Sequence, residues 1–155
     1  MDFDLESLEL ATVLDRIVVD IGGDTESTEF RIESHLDGDL TVWADSDALE
    51  QVLINLLENA IKYGGSTVTV EVDARRRGES VLVEVRDDGP GVAPEHRERI
   101  FERFYRIDEG RSSKLGGTGL GLSIVKHMVG SMGGEVGYRA GDDGGAIFWF
   151  TLSAG

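Results

Sequence analysis

A single α/β domain is the fold class the sequence predicts. Three observations carry it: helical and strand periods of hydrophobicity alternate along the chain, no internal repeat or interdomain linker interrupts them, and 155 residues can bury about two-thirds of the unfolded surface around one core. Leu8 to Val19 has helical spacing and runs into the polar break Gly22-Gly23-Asp24. Phe30 and Ile32, and more weakly His35 and Leu36, suggest a strand. Leu40 to Ala44 suggests a second, and the turn Asp37-Gly38-Asp39 between them predicts a hairpin. The clearest period follows: Leu49, Val52, Leu53, Leu56, Leu57 and Ala60 mark one face of a helix, with Asp47 and Glu50 as its capping pair. Strands are expected at Thr67 to Val72 and Val81 to Val85, joined by a solvated tip at Arg75-Arg76-Arg77-Gly78. A short helix is expected from Pro94 to Ile100, then a poorly periodic stretch to Gly117. A helix over Leu120 to Met132 and strands near Glu135 to Tyr138 and Ala146 to Leu152 complete the pattern.

Charge and composition exclude several function classes. Thirty acidic residues against fifteen basic ones give a formal net charge of -15, which disfavours nucleic acid or an anionic membrane surface as a partner. With no cysteine there is no disulfide, thiolate nucleophile or Cys-based zinc site. Three scattered histidines, His35, His96 and His127, suggest no metal site either. No apolar run approaches the roughly 20 residues that span a bilayer, and the acidic start Met1-Asp2-Phe3-Asp4 is unlike a signal peptide. A cytosolic setting is expected, with any membrane anchor outside this chain.

Within this acidic chain, Gly110 to Gly134 contains no Asp or Glu but holds Arg111, Lys114 and Lys126. It also contains Gly117-Thr118-Gly119-Leu120-Gly121-Leu122, at the entry to a predicted helix. Backbone N–H groups at a glycine-rich helix start suit an anion such as phosphate, although the spacing is neither Walker A nor the dinucleotide fingerprint.

Three further constellations carry chemistry. Asn55, Asn59 and Lys62 recur at i, i+4 and i+7 on the polar side of the best helix, where a carboxamide oxygen suits Mg²⁺ and a lysine suits phosphate. Asp87 ends a strand and is followed by Gly89 and Gly91, so its carboxylate can accept from an exocyclic amino group while the glycines admit a flat ligand. Ile100-Phe101-Glu102-Arg103-Phe104-Tyr105-Arg106 belongs to the stretch Arg97 to Lys114, whose six basic and four acidic residues suit a lid over a triphosphate. Alone, each is compatible with a solvated helix stripe, an ordinary turn or a charge-compensated loop.

Together, the order Asn55-Leu-Leu-Glu-Asn59-Ala-Ile-Lys62-Tyr63, Asp87-x-Gly89-x-Gly91, Phe101-Glu-Arg-Phe-Tyr-Arg106 and Gly117-Thr118-Gly119-Leu120-Gly121-Leu122 resembles the N, G1, F and G2 boxes of the catalytic ATP-binding domain of sensor histidine kinases. The resemblance runs from about Leu8 to the last strand. It implies a two-layer α/β (α+β) sandwich of the Bergerat type, a mixed and mostly antiparallel sheet with about three helices on one face. The same superfamily includes type II topoisomerases, heat-shock 90 chaperones and mismatch-repair ATPases.

The resemblance also implies roles. Asn59 would bind Mg²⁺, with Asn55 near the metal and phosphates; Lys62 would contact phosphate and Tyr63 would pack near the adenine. Asp87 would read the adenine in a pocket shaped by Gly89 and Gly91. Arg106 would reach the γ-phosphate, and Gly117, Thr118, Gly119, Leu120 and Gly121 would wrap the triphosphate, under a lid over about 97–117. Arg106, Lys62 and Asn55 are the candidate catalytic residues. Hydrolysing relatives carry a glutamate where this chain has Asn55, which is no general base, and Glu58 points about 100° away from Asn59. Transfer to a protein side chain is therefore preferred over hydrolysis. None of the three histidines is followed by an acidic residue as the family's phosphoacceptor is. The acceptor is expected on a separate dimerisation domain, with a response regulator downstream and a membrane anchor in the full protein. The alternatives are a non-catalytic nucleotide-sensing module and an anti-sigma-type serine kinase or ATPase of the same superfamily. All of this requires Asn59, Asp87 and Gly119 to converge on one nucleotide.

Overall fold

The computed structural model describes residues 3–22, 29–63, 67–89, 91–102, 121–142 and 144–155. In chain order the elements are β1 (Glu6–Glu9), α1 (Leu10–Gly22), β2 (Glu29–Leu36), β3 (Thr41–Ala44), α2 (Ser46–Tyr63), β4 (Thr67–Arg77), β5 (Ser80–Asp87), a 3₁₀ turn at Pro94–His96, α3 (Gly121–Ser131), β6 (Val136–Ala140) and β7 (Ala146–Ser153). Among the described residues, five strands form one sheet in the order β2-β4-β5-β7-β6, parallel between β2 and β4 and antiparallel elsewhere. A second, two-stranded sheet joins β1 to β3. The architecture is an α/β sandwich, as expected.

The core follows from the two periodicities. Val68, Val70 and Val72 of β4, Val81, Val83 and Val85 of β5 and Phe148, Phe150 and Leu152 of β7 alternate onto one sheet face. Leu49, Val52, Leu53, Leu56 and Leu57 of α2 meet them, each at most 1 % exposed, and α1 and α3 contribute Leu10, Val13, Leu14, Ile17, Val125 and Val129. Each fully buried side chain of this size contributes about 1.5–3 kcal/mol. The outward face is mostly polar: Glu33, His35, Glu71, Asp73, Glu84, Arg86 and Arg139 share it by register.

Several expectations are corrected. Strands β2 and β3 do not form a hairpin; β2 crosses to lie parallel to β4, and β3 pairs with β1. The turn that looked like a hairpin tip instead leaves the main sheet, while Asp37 N–H donates to the Ala74 carbonyl at 3.0 Å and keeps the end of β2 on β4. The first helix begins at Leu10 rather than Leu8, because residues 6–9 pair as a strand that no local pattern announces. The cap of α2 is Asp45, not the Asp47 and Glu50 pair. Its Oδ1 accepts the Ala48 N–H at 3.0 Å and its Oδ2 the Asp4 N–H at 2.9 Å. These bonds, Ala48 first, hold its pKa below the ordinary carboxylate value. The arginine run extends β4 to Arg77, so the hairpin turns at Gly78 and Glu79. The helix expected over Pro94 to Ile100 is 3₁₀ only to His96, followed by turns.

Candidate functional site

Asp87 is the last residue of β5 and only 7 % exposed, one of two buried acidic residues among those described. The other, Glu84, lies on the opposite sheet face and forms an ion pair with Arg139. Among the described residues no cation pairs with Asp87. Its Oδ1 instead accepts the N–H of Gly89 at 2.9 Å and of Ala146 at 3.4 Å, while Oδ2 makes no hydrogen bond among the described residues. Burial raises the Asp87 pKa above the ordinary value; the Gly89 and Ala146 N–H groups oppose the rise and Asp88 adds to it. A carboxylate kept buried without a counter-charge costs stability, which marks it as a candidate functional group.

The turn after Asp87 is built for close backbone approach. Gly91 has φ +77°, and a Cβ there would lie 2.7 Å from the Gly144 carbonyl oxygen. At Gly145 a Cβ would lie 1.9 Å from the carbonyl oxygen of Asp87, so only glycine lets the start of β7 press against the end of β5. Asp88 Oδ1 accepts the Thr69 N–H at 3.0 Å, tying the turn to β4. Beyond it, Val92 N–H donates to the Tyr138 hydroxyl at 3.1 Å and Arg97 Nε donates to the Val92 carbonyl at 3.0 Å, its guanidinium 5.6 Å from the Tyr138 ring centre. Phe148 packs against both Tyr138 and Phe101. Gly145 and Tyr138 are not among the site residues the sequence predicts, whereas Arg97 opens the stretch expected to form the lid. The first two lie about 50 residues from the turn they support and carry no local signal.

Asn55 and Asn59 lie half-buried on the polar side of α2, and Glu58 is exposed. Gln51 Nε2 donates to Asn55 Oδ1 at 2.8 Å, and Asn55 Nδ2 donates to the Gly121 carbonyl at 3.3 Å. The polar face of α2 is thereby joined to the first residue of α3, whose opening turn contains no acidic residue to cancel its partial positive charge. Helix α2 packs over β4 and β5, the strand that ends in Asp87.

The structure thus brings Asn55 to Gly121 and gathers Asp87, Gly89 and Gly91 in one turn. Lys62 and Tyr63 fall in the last turn of α2, with their side chains outside the described residues. Arg106, Gly117, Thr118, Gly119 and Leu120 also lie outside them, as does most of the 97–117 stretch. His35 is on β2, His96 in the 3₁₀ turn and His127 exposed on α3. A shallow hollow of about 460 Å³, lined by Ser123, Lys126, His127, Gly130 and Ser131, flanks α3 on the side away from its buried Val125 and Val129.

Residues 44–155 match the family described as histidine kinase-, DNA gyrase B-, and HSP90-like ATPase. The chain is 42 % identical over 118 residues to the sensor histidine kinase WalK of Bacillus subtilis, covering 75 % of this chain and 19 % of that protein. It is 40 % identical over 147 residues to the sensor protein RstB of Escherichia coli, covering 95 % of this chain and 33 % of that one. Among solved structures, full-length ShkA in complex with AMPPNP superposes with a TM-score of 0.84 at 31 % identity, over 99 % of this chain and 32 % of that one. The chain spans about a fifth to a third of the length of these relatives.

Proposed function

The chain is a histidine kinase-type ATPase domain, a member of the histidine kinase-, DNA gyrase B- and HSP90-like ATPase family, and on that premise we propose that it binds Mg·ATP and transfers the γ-phosphoryl group to a histidine on a separate phosphoacceptor domain. The observation that carries the proposal is Asp87: a buried carboxylate at a strand end, held through one oxygen, with the other available to accept from the amino group of adenine. Guanine presents a carbonyl at the corresponding ring position and would be rejected. The glycine-permitted contacts at Gly91 and Gly145 hold the carboxylate in place.

The remaining roles follow in this reading. Asn59 offers a half-buried neutral oxygen of the kind Mg²⁺ accepts, and the ion when bound would neutralise charge on the triphosphate. Asn55 fixes the entry of α3 against α2, so that the N–H groups of Gly121 and the preceding Gly117 to Leu120 can hold phosphate oxygens. Lys62 adds a positive charge, Tyr63 packs near the base, and Arg106, on a lid over about 97–117, stabilises charge developing at the γ-phosphate. Asn55 does not activate water, which favours transfer to an imidazole over hydrolysis. That ShkA is recorded with AMPPNP supports the nucleotide assignment.

The proposed partners are the protein's own dimerisation and phosphoacceptor domain and, after it, a response regulator. No helix among the described residues is long and apolar enough to cross a membrane. We place the domain in the cytoplasm, with anchoring supplied elsewhere in the full protein. The test is to mix the chain with γ-labelled ATP, with and without a separately prepared acceptor domain of a related kinase. Label should appear on the acceptor only when both are present; appreciable labelling of the chain alone would refute the division of labour.

A further inference from the structure

On the outward face of the sheet, outside every box discussed above, Glu33 and His35 of β2 stand beside Glu71 of β4. The parallel register places Glu33 directly opposite Glu71, and the two-residue strand period returns His35 to the same face. One ligand atom from each of the three lies within 4.8 Å of the other two, and His35 Nε2 is 4.0 Å from Glu33 Oε2. The scattered histidines gave no hint of this in the sequence, because the third donor arrives from a strand 36 residues further on.

We propose that Glu33, His35 and Glu71 form a binding site for a divalent transition-metal cation of the Zn²⁺ class. Three atoms no further than 4.8 Å apart share a point at most about 2.8 Å from each, and zinc bonds to imidazole and carboxylate are about 2.0–2.2 Å. Side-chain shifts below about 1 Å therefore close the triangle around an ion, leaving a fourth position for water. The donor set selects the metal: an imidazole nitrogen with two carboxylates suits zinc or nickel, whereas Mg²⁺ prefers an all-oxygen shell.

The apo arrangement is electrostatically unfavourable, since like charges directly opposite in a sheet destabilise it. The cations nearby offset this only partly. Arg31 is 3.6 Å from Glu33 but 74 % exposed, so the pair contributes little; Arg86 is the register partner of Glu71 on β5, and Asp73, the partner of His35, adds further negative charge. A bound cation would neutralise the pair and staple the edge strand β2 to β4.

The test is calorimetric titration of the chain with ZnCl₂ alone, without nucleotide. One saturable site is expected, weakened about tenfold or more in both His35→Ala and Glu71→Gln, unchanged in His127→Ala, and not displaced by millimolar Mg²⁺. Zinc should raise the melting midpoint of the parent more than that of either ligand variant at the same concentration. All three side chains face solvent, and melting without metal verifies that each variant folds. Absence of saturable binding, parent-like affinity in His35→Ala, or displacement by Mg²⁺ would each overturn the site, the last by reducing it to an acidic patch.

Discussion

Replacing Asp87 by Asn separates recognition from folding more cleanly than any other change in this chain. The carboxamide is isosteric, and its oxygen can still accept the Gly89 and Ala146 N–H groups that Oδ1 now accepts. What changes is the other atom, which becomes a donor where an adenine amino group needs an acceptor. Hydrogen bonds to charged groups contribute about 1.5–3 kcal/mol, so ATP affinity should fall roughly 10- to 150-fold at 1.4 kcal/mol per decade. Stability should move the other way. Burial raises the Asp87 pKa in the folded state, so the unfolded chain loses that proton first as pH rises. The resulting penalty is absent below the ordinary carboxylate value of 3.8 and fully present above the raised folded value. Asp87→Asn removes it, and the variant at pH 7 should melt no lower than the parent. By the same reasoning, ATP binding to the parent should weaken as pH falls through the raised value, at higher pH than an ordinary aspartate would give. Calorimetry with ATP and GTP, paired with thermal melts, measures both. An Asp87→Asn variant that binds ATP within threefold of the parent, or a parent that binds GTP as well as ATP, would refute the assignment.

Two further outcomes bear on the site. Asn59→Ala should abolish the enhancement of nucleotide affinity by Mg²⁺ while leaving the melting midpoint nearly unchanged, since the side chain is on the polar side of α2; unchanged Mg²⁺ dependence in a titration would make that face a solvated stripe. Gly145→Ala places a Cβ 1.9 Å from the Asp87 carbonyl oxygen, so β7 or the Asp87 turn must shift. We expect a loss of about 1–3 kcal/mol, as for overpacking elsewhere, together with weakened ATP binding. A melt and affinity matching the parent's would mean that this close contact does not fix the carboxylate.

Much of this was legible because it is local. The α2 period, the strand ending in Asp87 and the glycines two and four residues on are encoded within a few positions of one another, as are the apolar runs of β5 and β7. What escaped is non-local. Residues 6–9 pair with β3, more than 30 residues further on, and β2 bypasses its sequence neighbour to lie parallel to β4, with Ile32 and Leu36 packed against the core. Gly145 and Tyr138 buttress a turn some 50 residues earlier, and Glu33 meets Glu71 only through a parallel register that no turn residue announces. Asp45 rather than Asp47 caps α2 because its two carboxylate oxygens find the Ala48 and Asp4 N–H groups, and only the second of these is distant in sequence.

In the proposed function one nucleotide lies between the polar flank of α2, the end of β5 and the start of α3. An amide-resolved NMR titration of the chain with Mg·ATP tests it directly. Perturbations should concentrate at Asn55, Asn59, Asp87 to Gly91 and Gly121 and leave Glu33, His35 and Glu71 unmoved. Saturating nucleotide that perturbs none of the first group, or only the outward face of the sheet, would contradict it.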